Sequence, residues 1–531
     1  MTHESIRARG GIVAAPHVAA AEAGREILRE GGNALEAAIA AAAAIVVAYP
    51  HMNHIGGDGF WMVREPSGKV HYIEACGYAG EKATRALYKE HGLERIPERG
   101  PLAALTVPGA VGGWILAHDA AKANGGKIPV ARLLEPAIGL AKKGYPVSKS
   151  LAWRFTTERG AAIDAPGFAE TFLVDGKAPK FGGTLPAGRL GDTFEQLARS
   201  GLDDFYRGDV GREIAGDLER LGSPITRADL QRYRAVTRDP LLLPLRRGTV
   251  YNSQPPTPGL VALIILGIYD RMPAQRPETF EYLHALVEAT KRAVRIRERV
   301  ITDYERLKAD PKSFLTAEAL DREAAAIDRS RAAPWPQPAG KGDTVWLGAA
   351  DKNGLVVSYI QSLYFEFGSG CVLPRTGVLM QNRGSSFSLD PGALNPLEPG
   401  RKPLHTLTPA MAVLKDGRVM AYGTMGGEGQ PQTQSAVFTR YVEHGVPLGE
   451  AIDRPRWILG RTWGSTITNL RLESRFPEET VDRLRRAGHD VAVLPDPYNE
   501  VLGHAGGVVL HPDGTVEGAH DPRSDGGAAG V

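Results

Sequence analysis

The stretch "AAIAAAAAIVVAY", which follows Asn33-Ala34-Leu35-Glu36, has no polar side at any helical phase. A helix that is apolar all round must be covered all round. The run falls short of the roughly 20 residues that span a bilayer, so its cover has to be protein. Before it, "VAAAEAGREILREGG" keeps Glu22, Arg25 and Arg29 at helical spacing on one side and stops at Gly31 and Gly32. Asn33 with Glu36 then makes a capping-box-like start. The two segments read as a helical hairpin whose second arm is interior. A chain of 531 residues can bury a large core, in two or more domains or in one layered one.

"GFWMVREPSGKVHYIE" alternates like a two-stranded hairpin that turns at Pro66-Ser67-Gly68. The middle of the chain carries helical periodicity in "PVARLLEPAIGLAKKG", "TFEQLARSG", "GREIAGDLERLG" and "ETFEYLHALVEATKRAVRIRERVITDYERL". Strands return in "VWLGAADKNGLVVSYIQSL", "GVLMQNRG", "AMAVLKDGRVMAYGTMG", "DVAVL" and "GGVVLHPDGTVEGAHD", joined by Asp-Gly and Asn-Gly turns. This order predicts an α+β fold of antiparallel sheet covered by helices in several layers, rather than a doubly wound parallel sheet. The seam is the Pro/Ala/Gly stretch from Ala332 to Asp343, expected to be exposed, flexible and open to cutting.

Composition narrows the function. The net charge is +2, and no Lys/Arg cluster is interleaved with aromatics, so nucleic acid is not an expected partner. Cys76 and Cys371 stand far apart without CxxC spacing, which suits a reducing compartment and excludes a disulfide framework. "MTHESIRARGGIVAAPH" has no apolar stretch of signal-peptide length, so a cytoplasmic location with no membrane partner is expected. A small-molecule enzyme or a binding protein remains. GxSxG, SxxK, HExxH and P-loop signatures are all missing, and no cofactor is implied. His51 and His54 are spaced so that two imidazoles could meet one ligand. Without a carboxylate or cysteine set they read as loop histidines bonded to backbone, and no metal site is expected.

Thr344 raises a question that secondary structure does not answer. It follows the loose run "RAAPWPQPAGKGD" and opens an apolar strand, where no hydroxyl is required. Two glycine groups, "HIGGDGF" and "GTMGGEGQPQTQ", have no dinucleotide-binding context. They read either as tight turns or as backbone N–H donors aimed at an oxyanion.

In order along the chain, "GGIVAAPHVAAAEAGREILREGGNALEAAIAAAAA", "IGGDGF", "LTVPGAVGGW", "FYRG", "GDT", "FGSG", "PLHTLTPA", "GTMGG" and "GAHDPRSDGG" resemble the gamma-glutamyltransferase family of N-terminal nucleophile hydrolases. The resemblance runs over nearly the whole chain. It implies one inactive precursor that cuts itself immediately before a threonine into large and small subunits, which stay together as a four-layer αββα sandwich. The matching residue is Thr344, so the cut falls between Asp343 and Thr344 and the subunits are 1–343 and 344–531. Cleavage would turn the amide nitrogen of Thr344 into an amine with a pKa near ~7.7–8.0, a general base for its own hydroxyl. The cut itself reads as an N-to-O acyl shift, favoured by a strained turn at Gly342-Asp343.

By the same resemblance Gly426 and Gly427 supply oxyanion N–H groups, and Ser362 matches a second threonine that bonds the nucleophile's amine. His405 and Thr406 match a serine pair that contacts substrate. The chain departs from members that act on glutathione. Cys76 stands where an arginine would hold the γ-glutamyl carboxylate, Arg383 and Ser386 where an acidic residue and a polar neighbour would hold the ammonium, and Tyr364 where an asparagine stands near the nucleophile. Two charge-assisted partners worth roughly 1.5–3 kcal/mol each are lost, so a zwitterionic glutamyl head should bind poorly. The expected substrate is a small carboxylate-bearing amide such as oxamate, or a larger acyl amide as in cephalosporin acylases. Two readings stand beside it: γ-glutamyl hydrolysis or transfer through a rearranged pocket, and a non-catalytic binding protein. The plain alternatives are a surface arginine for Arg383, core packing for Tyr364 and a buried small hydrophobe for Cys76. The expected partners are the amide substrate and the two subunits of one precursor, with a dimer of heterodimers as a further possibility.

Overall fold

The computed structural model describes residues 4–157, 164–273, 275–335, 343–460 and 469–531. The interior helix is where the sequence puts it. Helix α1 (Val18–Arg29) leads into α2 (Ala34–Ala48), and every residue of α2 is buried. The capping box forms: Asn33 Oδ1 accepts the Glu36 N–H at 3.1 Å and Glu36 Oε2 accepts the Asn33 N–H at 2.8 Å. Helices α3 (Ala110–Ala123) and α4 (Val130–Lys143) complete one helical layer.

Two seven-stranded sheets follow from fourteen strands. The first five are β1 (Ile6–Ala8), β2 (Gly11–Ala15), β3 (Asp58–Arg64), β4 (Val70–Ala75) and β5 (Val236–Arg238). Next come β6 (Leu241–Leu245), β7 (Gly248–Asn252), β8 (Asp343–Asp351) and β9 (Val356–Tyr364). The last are β10 (Ala410–Leu414), β11 (Val419–Thr424), β12 (Ala505–Leu510), β13 (Val516–His520) and β14 (Gly527–Gly530). The first sheet has the order β14-β2-β8-β9-β3-β4-β5 and the second β1-β13-β12-β11-β10-β7-β6, with every neighbouring pair antiparallel. Strand alternation then divides the core. Ile12, Phe60, Met62, Trp346 and Ile360 of the first sheet meet Met411, Ala421, Val508 and Val516 of the second. Val13, Trp61, Val345, Leu347 and Tyr359, on the opposite face of the first sheet, pack on α1 to α4. The outer face of the second sheet packs on α5 (Gly259–Tyr269), α6 (Phe280–Val300) and α7 (Gln430–Phe438).

Three readings need correction. "GVLMQNRG" is no strand: it forms only isolated bridges, Gly56 with Met380 and Val372 with Leu379, before a 3₁₀ turn at Arg383–Ser386. Its N–H groups bond loop partners instead of a strand ladder, such as Gln381 N to Gly56 O at 3.0 Å and Leu379 N to His54 Nδ1 at 3.1 Å. The helical middle of the chain also holds β5 to β7, whose alternating "LLLPL" escaped notice among helices. "DVAVL" contributes Val491–Leu494, which pairs in parallel with Leu470–Glu473 inside a separate three-stranded sheet. Of the seam, Ala332 to Trp335 are described and are held. Ala332 N–H donates to Ala487 O at 2.8 Å, and Lys291 Nζ donates to Ala333 O at 2.7 Å. The strained turn expected at Gly342-Asp343 lies outside the described residues at Gly342. Among the described residues, no helix is long and apolar enough to cross a membrane.

Candidate active site

Thr344 is fully buried near the start of β8, in the middle of the first sheet. Strand register builds a row around it. Asp343 pairs with Tyr364 and Val345 with Gln361, so Ser362 and Leu363 together face Thr344 in a β-bulge. Ser362 pairs in turn with Asp58 on β3. One step beyond the Gly59–Ala75 pair, Asp58 comes level with Cys76. Residues two apart on a strand share a face, so Thr344 follows Trp346, Ser362 follows Ile360 and Asp58 follows Phe60 toward the second sheet. Thr344, Ser362, Asp58 and Cys76 thus form one polar row at the end of the inter-sheet core. Cys76 itself belongs to that core, with its thiol pushed well up by burial.

Trp346 holds strand β8 in place. Its indole occupies space left by three glycines: a Cβ on Gly423 would come within 2.1 Å of it, on Gly506 within 2.3 Å and on Gly348 within 2.7 Å. Its Nε1–H donates to Ser358 Oγ at 2.9 Å. The first glycine group, 54–60, serves close packing too. A Cβ on Gly57 would lie 2.1 Å from Ser362 O and one on Gly56 2.1 Å from Leu379 O. His54 Nδ1 accepts the Leu379 N–H at 3.1 Å, and His51 Nε2 lies 3.2 Å from Ser150 Oγ. Both imidazoles are therefore engaged within the loop packing, as the backbone reading of His54 anticipates.

The second glycine group differs. Gly426 has φ 125° and Gly427 φ 53°, a backbone course that favours glycine. Among the described residues neither N–H meets an acceptor. Gly427 opens a 3₁₀ turn that runs into α7, so its N–H is one a helix start leaves unpaired. The first residue of α7 is a site residue that the motif reading passed over. Gln430 Nε2 donates to Thr344 Oγ1 at 3.3 Å, while Gln430 Oε1 accepts from Thr408 N at 3.0 Å and Thr408 Oγ1 at 3.2 Å. Gln434 Nε2 in turn donates to Thr408 Oγ1 at 2.9 Å. Two glutamines one turn apart, behind two glycines, were the signal available in "GTMGGEGQPQTQ".

The remaining predicted residues gather at the Ser362–Asp58 end. Tyr364 takes φ 84°, rare for a residue with a side chain, and donates its N–H to Ser362 Oγ at 2.8 Å. Its ring lies under the Arg383 guanidinium, 3.9 Å from centroid to Cζ. Arg383 is 1% exposed, so the surface reading fails; burial pushes its pKa down to about 10. Arg383 Nη1 donates to Thr406 Oγ1 at 3.4 Å. His405 packs edge-on against Phe60, its pKa held well below the usual value by burial and by Arg383. Ser386 donates to Leu404 O at 3.2 Å, tying the Arg383–Ser386 turn to the segment that carries His405. A second missed residue is Asp58, inside the motif read for its glycines. Its carboxyl is pushed up to about 7 by burial, against the pull of Arg383, two backbone N–H groups and the Gln381 amide.

Among the described residues one cluster has metal-ligand chemistry: His284, Glu288 and His489. Its ligand atoms are engaged already. His284 Nδ1 meets His489 Nε2 at 2.8 Å and His284 Nε2 meets Asp328 O at 2.7 Å, while Glu288 accepts from Lys291 Nζ at 2.7 Å and Ala333 N at 3.2 Å. The cluster fastens residues 328–333 to α6.

A family model described as gamma-glutamyltranspeptidase matches residues 20–531. The chain is 51% identical over 529 residues to the oxamate amidohydrolase proenzyme of Klebsiella pneumoniae subsp. pneumoniae, covering 99% of this chain and 100% of the relative. It is 38% identical over 524 residues to the glutathione hydrolase-like YwrD proenzyme of Bacillus subtilis, covering 98% of each. The crystal structure of cephalosporin acylase from Bacillus halodurans matches with a TM-score of 0.90 at 33% identity, over 100% of this chain and 97% of that one.

Proposed function

The chain belongs to the gamma-glutamyltranspeptidase family, and from that premise we propose that it is an amidohydrolase made as a proenzyme, which cuts itself between Asp343 and Thr344 and then hydrolyses a small carboxylate-bearing amide. The observation that carries the reading is the setting of Thr344. A buried hydroxyl receives the Gln430 amide N–H and stands across a bulge from Ser362, and near the head of α7 the Gly426 and Gly427 N–H groups meet no acceptor among the described residues.

In this reading the layers are those of an N-terminal nucleophile hydrolase, divided into subunits 1–343 and 344–531. Strand order supports their staying together after the cut. In the first sheet β8 and β9 of the small subunit lie between β2 and β3 of the large one, and in the second β10 to β13 lie between β1 and β7. Separation would break ladder bonds in both sheets.

Thr344 Oγ attacks the substrate's amide carbon, and its proton passes to the Thr344 α-amine. The oxyanion takes the N–H groups of Gly426 and Gly427, where one donor is typically worth on the order of 10²–10³ in rate. As the C–N bond breaks, the α-ammonium returns the proton to the leaving nitrogen. Water then attacks the threonyl ester and restores the hydroxyl. Arg383 receives the carboxylate of the acyl group, with His405, Thr406, Tyr364, Ser386 and Cys76 shaping the pocket. Oxamate is the leading substrate because the 51% relative is named for it.

Thr344→Ala is expected to stay one chain with no hydrolysis, while the natural sequence gives two chains whose masses fix the cut. A Thr344→Ala chain that cuts at the same bond refutes the scheme. Turnover of oxamate against a γ-glutamyl anilide by the purified enzyme separates this reading from glutathione hydrolysis.

A further inference from the structure

Asp58 sits in the row that starts at Thr344, two strands away, with its carboxyl buried beyond the bulge. One oxygen is fully used: Oδ1 accepts the N–H groups of Gly77 and Gly109, each at 3.0 Å. The other is not. Among the described residues no hydrogen bond of good geometry reaches Oδ2: the Gln381 amide is near enough to pull on the carboxyl, and His405 Nε2 lies 3.6 Å from Oδ2. Across the same space both ring nitrogens of His405, and Nε and Nη2 of Arg383, also lack partners. Asp58 is 1% exposed, Arg383 1% and His405 5%.

Buried polar atoms are almost always paired, and an unpaired one costs about 1–3 kcal/mol, more when charged. Here an acceptor and a set of donors stand in one place without hydrogen bonds to one another: His405 Nε2 comes no nearer to Oδ2 than 3.6 Å, an ion pair only if the ring is protonated, and among the described residues Asp58 and Arg383 form no ion pair. Groups held apart in this way match a ligand that carries both complements. The row geometry makes that ligand continuous with the carbonyl that Thr344 attacks.

We propose that Asp58 is a substrate-binding residue whose Oδ2 accepts an N–H of the substrate while Arg383 takes the substrate's carboxylate, so that the site selects amides carrying both groups on a short frame. The inference rests on the amidohydrolase reading above and names its substrate class. A primary α-oxo amide such as oxamate offers a carboxylate and an amide N–H on two carbons. At a pH above about 7, where Asp58 is ionised, the hydrolysis product, oxalate, offers a second carboxylate where Oδ2 needs a donor, and like charges held close repel. Asp58 therefore favours substrate over product.

The test uses the self-cut enzyme and Asp58→Asn, which keeps an oxygen for Gly77 and Gly109 but replaces the Oδ2 acceptor with a donor. The gel pattern of two chains reports folding and processing. With oxamate, kcat/KM is expected to fall on the order of 10–100-fold, mainly through KM. Inhibition by oxalate is expected to tighten, a reversal that a merely loosened structure would not give. A processed variant with unchanged kcat/KM and unchanged oxalate inhibition overturns the proposal. Should Asp58→Asn fail to fold, calorimetry on the natural enzyme decides. N-methyloxamate, which keeps one N–H, should bind at least roughly tenfold more tightly than N,N-dimethyloxamate, which has none. Equal binding of the two overturns the proposal whether or not oxamate is turned over. No turnover of any carboxylate-bearing amide by the natural enzyme refutes the functional reading instead.

Discussion

Gln430→Leu removes the hydrogen bond that Gln430 donates to the Thr344 hydroxyl. The natural side chain is fully buried and serves two partners. It donates to Thr344 Oγ1 at 3.3 Å and accepts from the Thr408 N–H at 3.0 Å and the Thr408 hydroxyl at 3.2 Å. Leucine fills nearly the same volume and removes both. Losing a neutral hydrogen bond of about 0.5–1.5 kcal/mol at the attacking group slows attack roughly 2- to 13-fold. That factor should appear in self-cutting and in amide hydrolysis alike, because on the proposed scheme one hydroxyl does both. The Thr408 N–H is left buried without an acceptor, which costs about 1–3 kcal/mol of stability. The two effects are separated by background. Urea unfolding of Gln430→Leu on Thr344→Ala compares intact chains and reads the stability loss alone. Pulse labelling followed by gel analysis, and single-turnover hydrolysis by the processed enzyme, read the rates. A folded Gln430→Leu protein that cuts and hydrolyses at natural rates would refute the positioning argument.

Two further outcomes follow from the packing and the charges. Gly423→Ala puts a Cβ within 2.1 Å of the Trp346 ring, so it should destabilise by roughly 1–3 kcal/mol or more and slow self-cutting through displacement of β8, as read by urea unfolding and gel. Asp58 has its carboxyl raised from 3.8 to about 7 in the folded chain. The folded state therefore holds a proton that the unfolded state releases, and stability falls as pH rises through that window, by at most about 4 kcal/mol. Of the groups facing it, Arg383 and Cys76 titrate above the window, while His405, lowered by burial and by Arg383, adds stability as pH rises toward its unfolded value of about 6.5, a contribution that the variant and its parent share. Urea midpoints of Asp58→Asn on the Thr344→Ala background should overtake those of the parent between pH 4 and 7; a constant difference across the range would contradict the assignment.

The contrast between Thr344 and Asp58 explains what a sequence yields here and what it withholds. Thr344 was legible because a hydroxyl at the head of an apolar strand has no structural task, and α2 because an apolar surface without a polar side demands layers around it. Gly426 and Gly427 were legible as a pair without being distinguishable from Gly56 and Gly57. Separating them takes the local surroundings: Gly57 fits against the Ser362 carbonyl, whereas the Gly426 and Gly427 N–H groups meet no acceptor among the described residues. Gln430 and Asp58 were in plain view inside quoted motifs, and both were missed because their roles depend on register. A two-against-one bulge sets Ser362 across from Thr344 and carries the row on to Asp58. Register between strands that lie some three hundred residues apart is fixed by packing on both faces of the sheet, which no local pattern encodes. That dependence bears on substrate choice. From the sequence the pocket had lost its anion, since Arg383 stood in the acidic position, yet the fold supplies a carboxyl from β3 at the neighbouring place in the row. On the proposal above the pocket keeps two poles, and its ligand carries both.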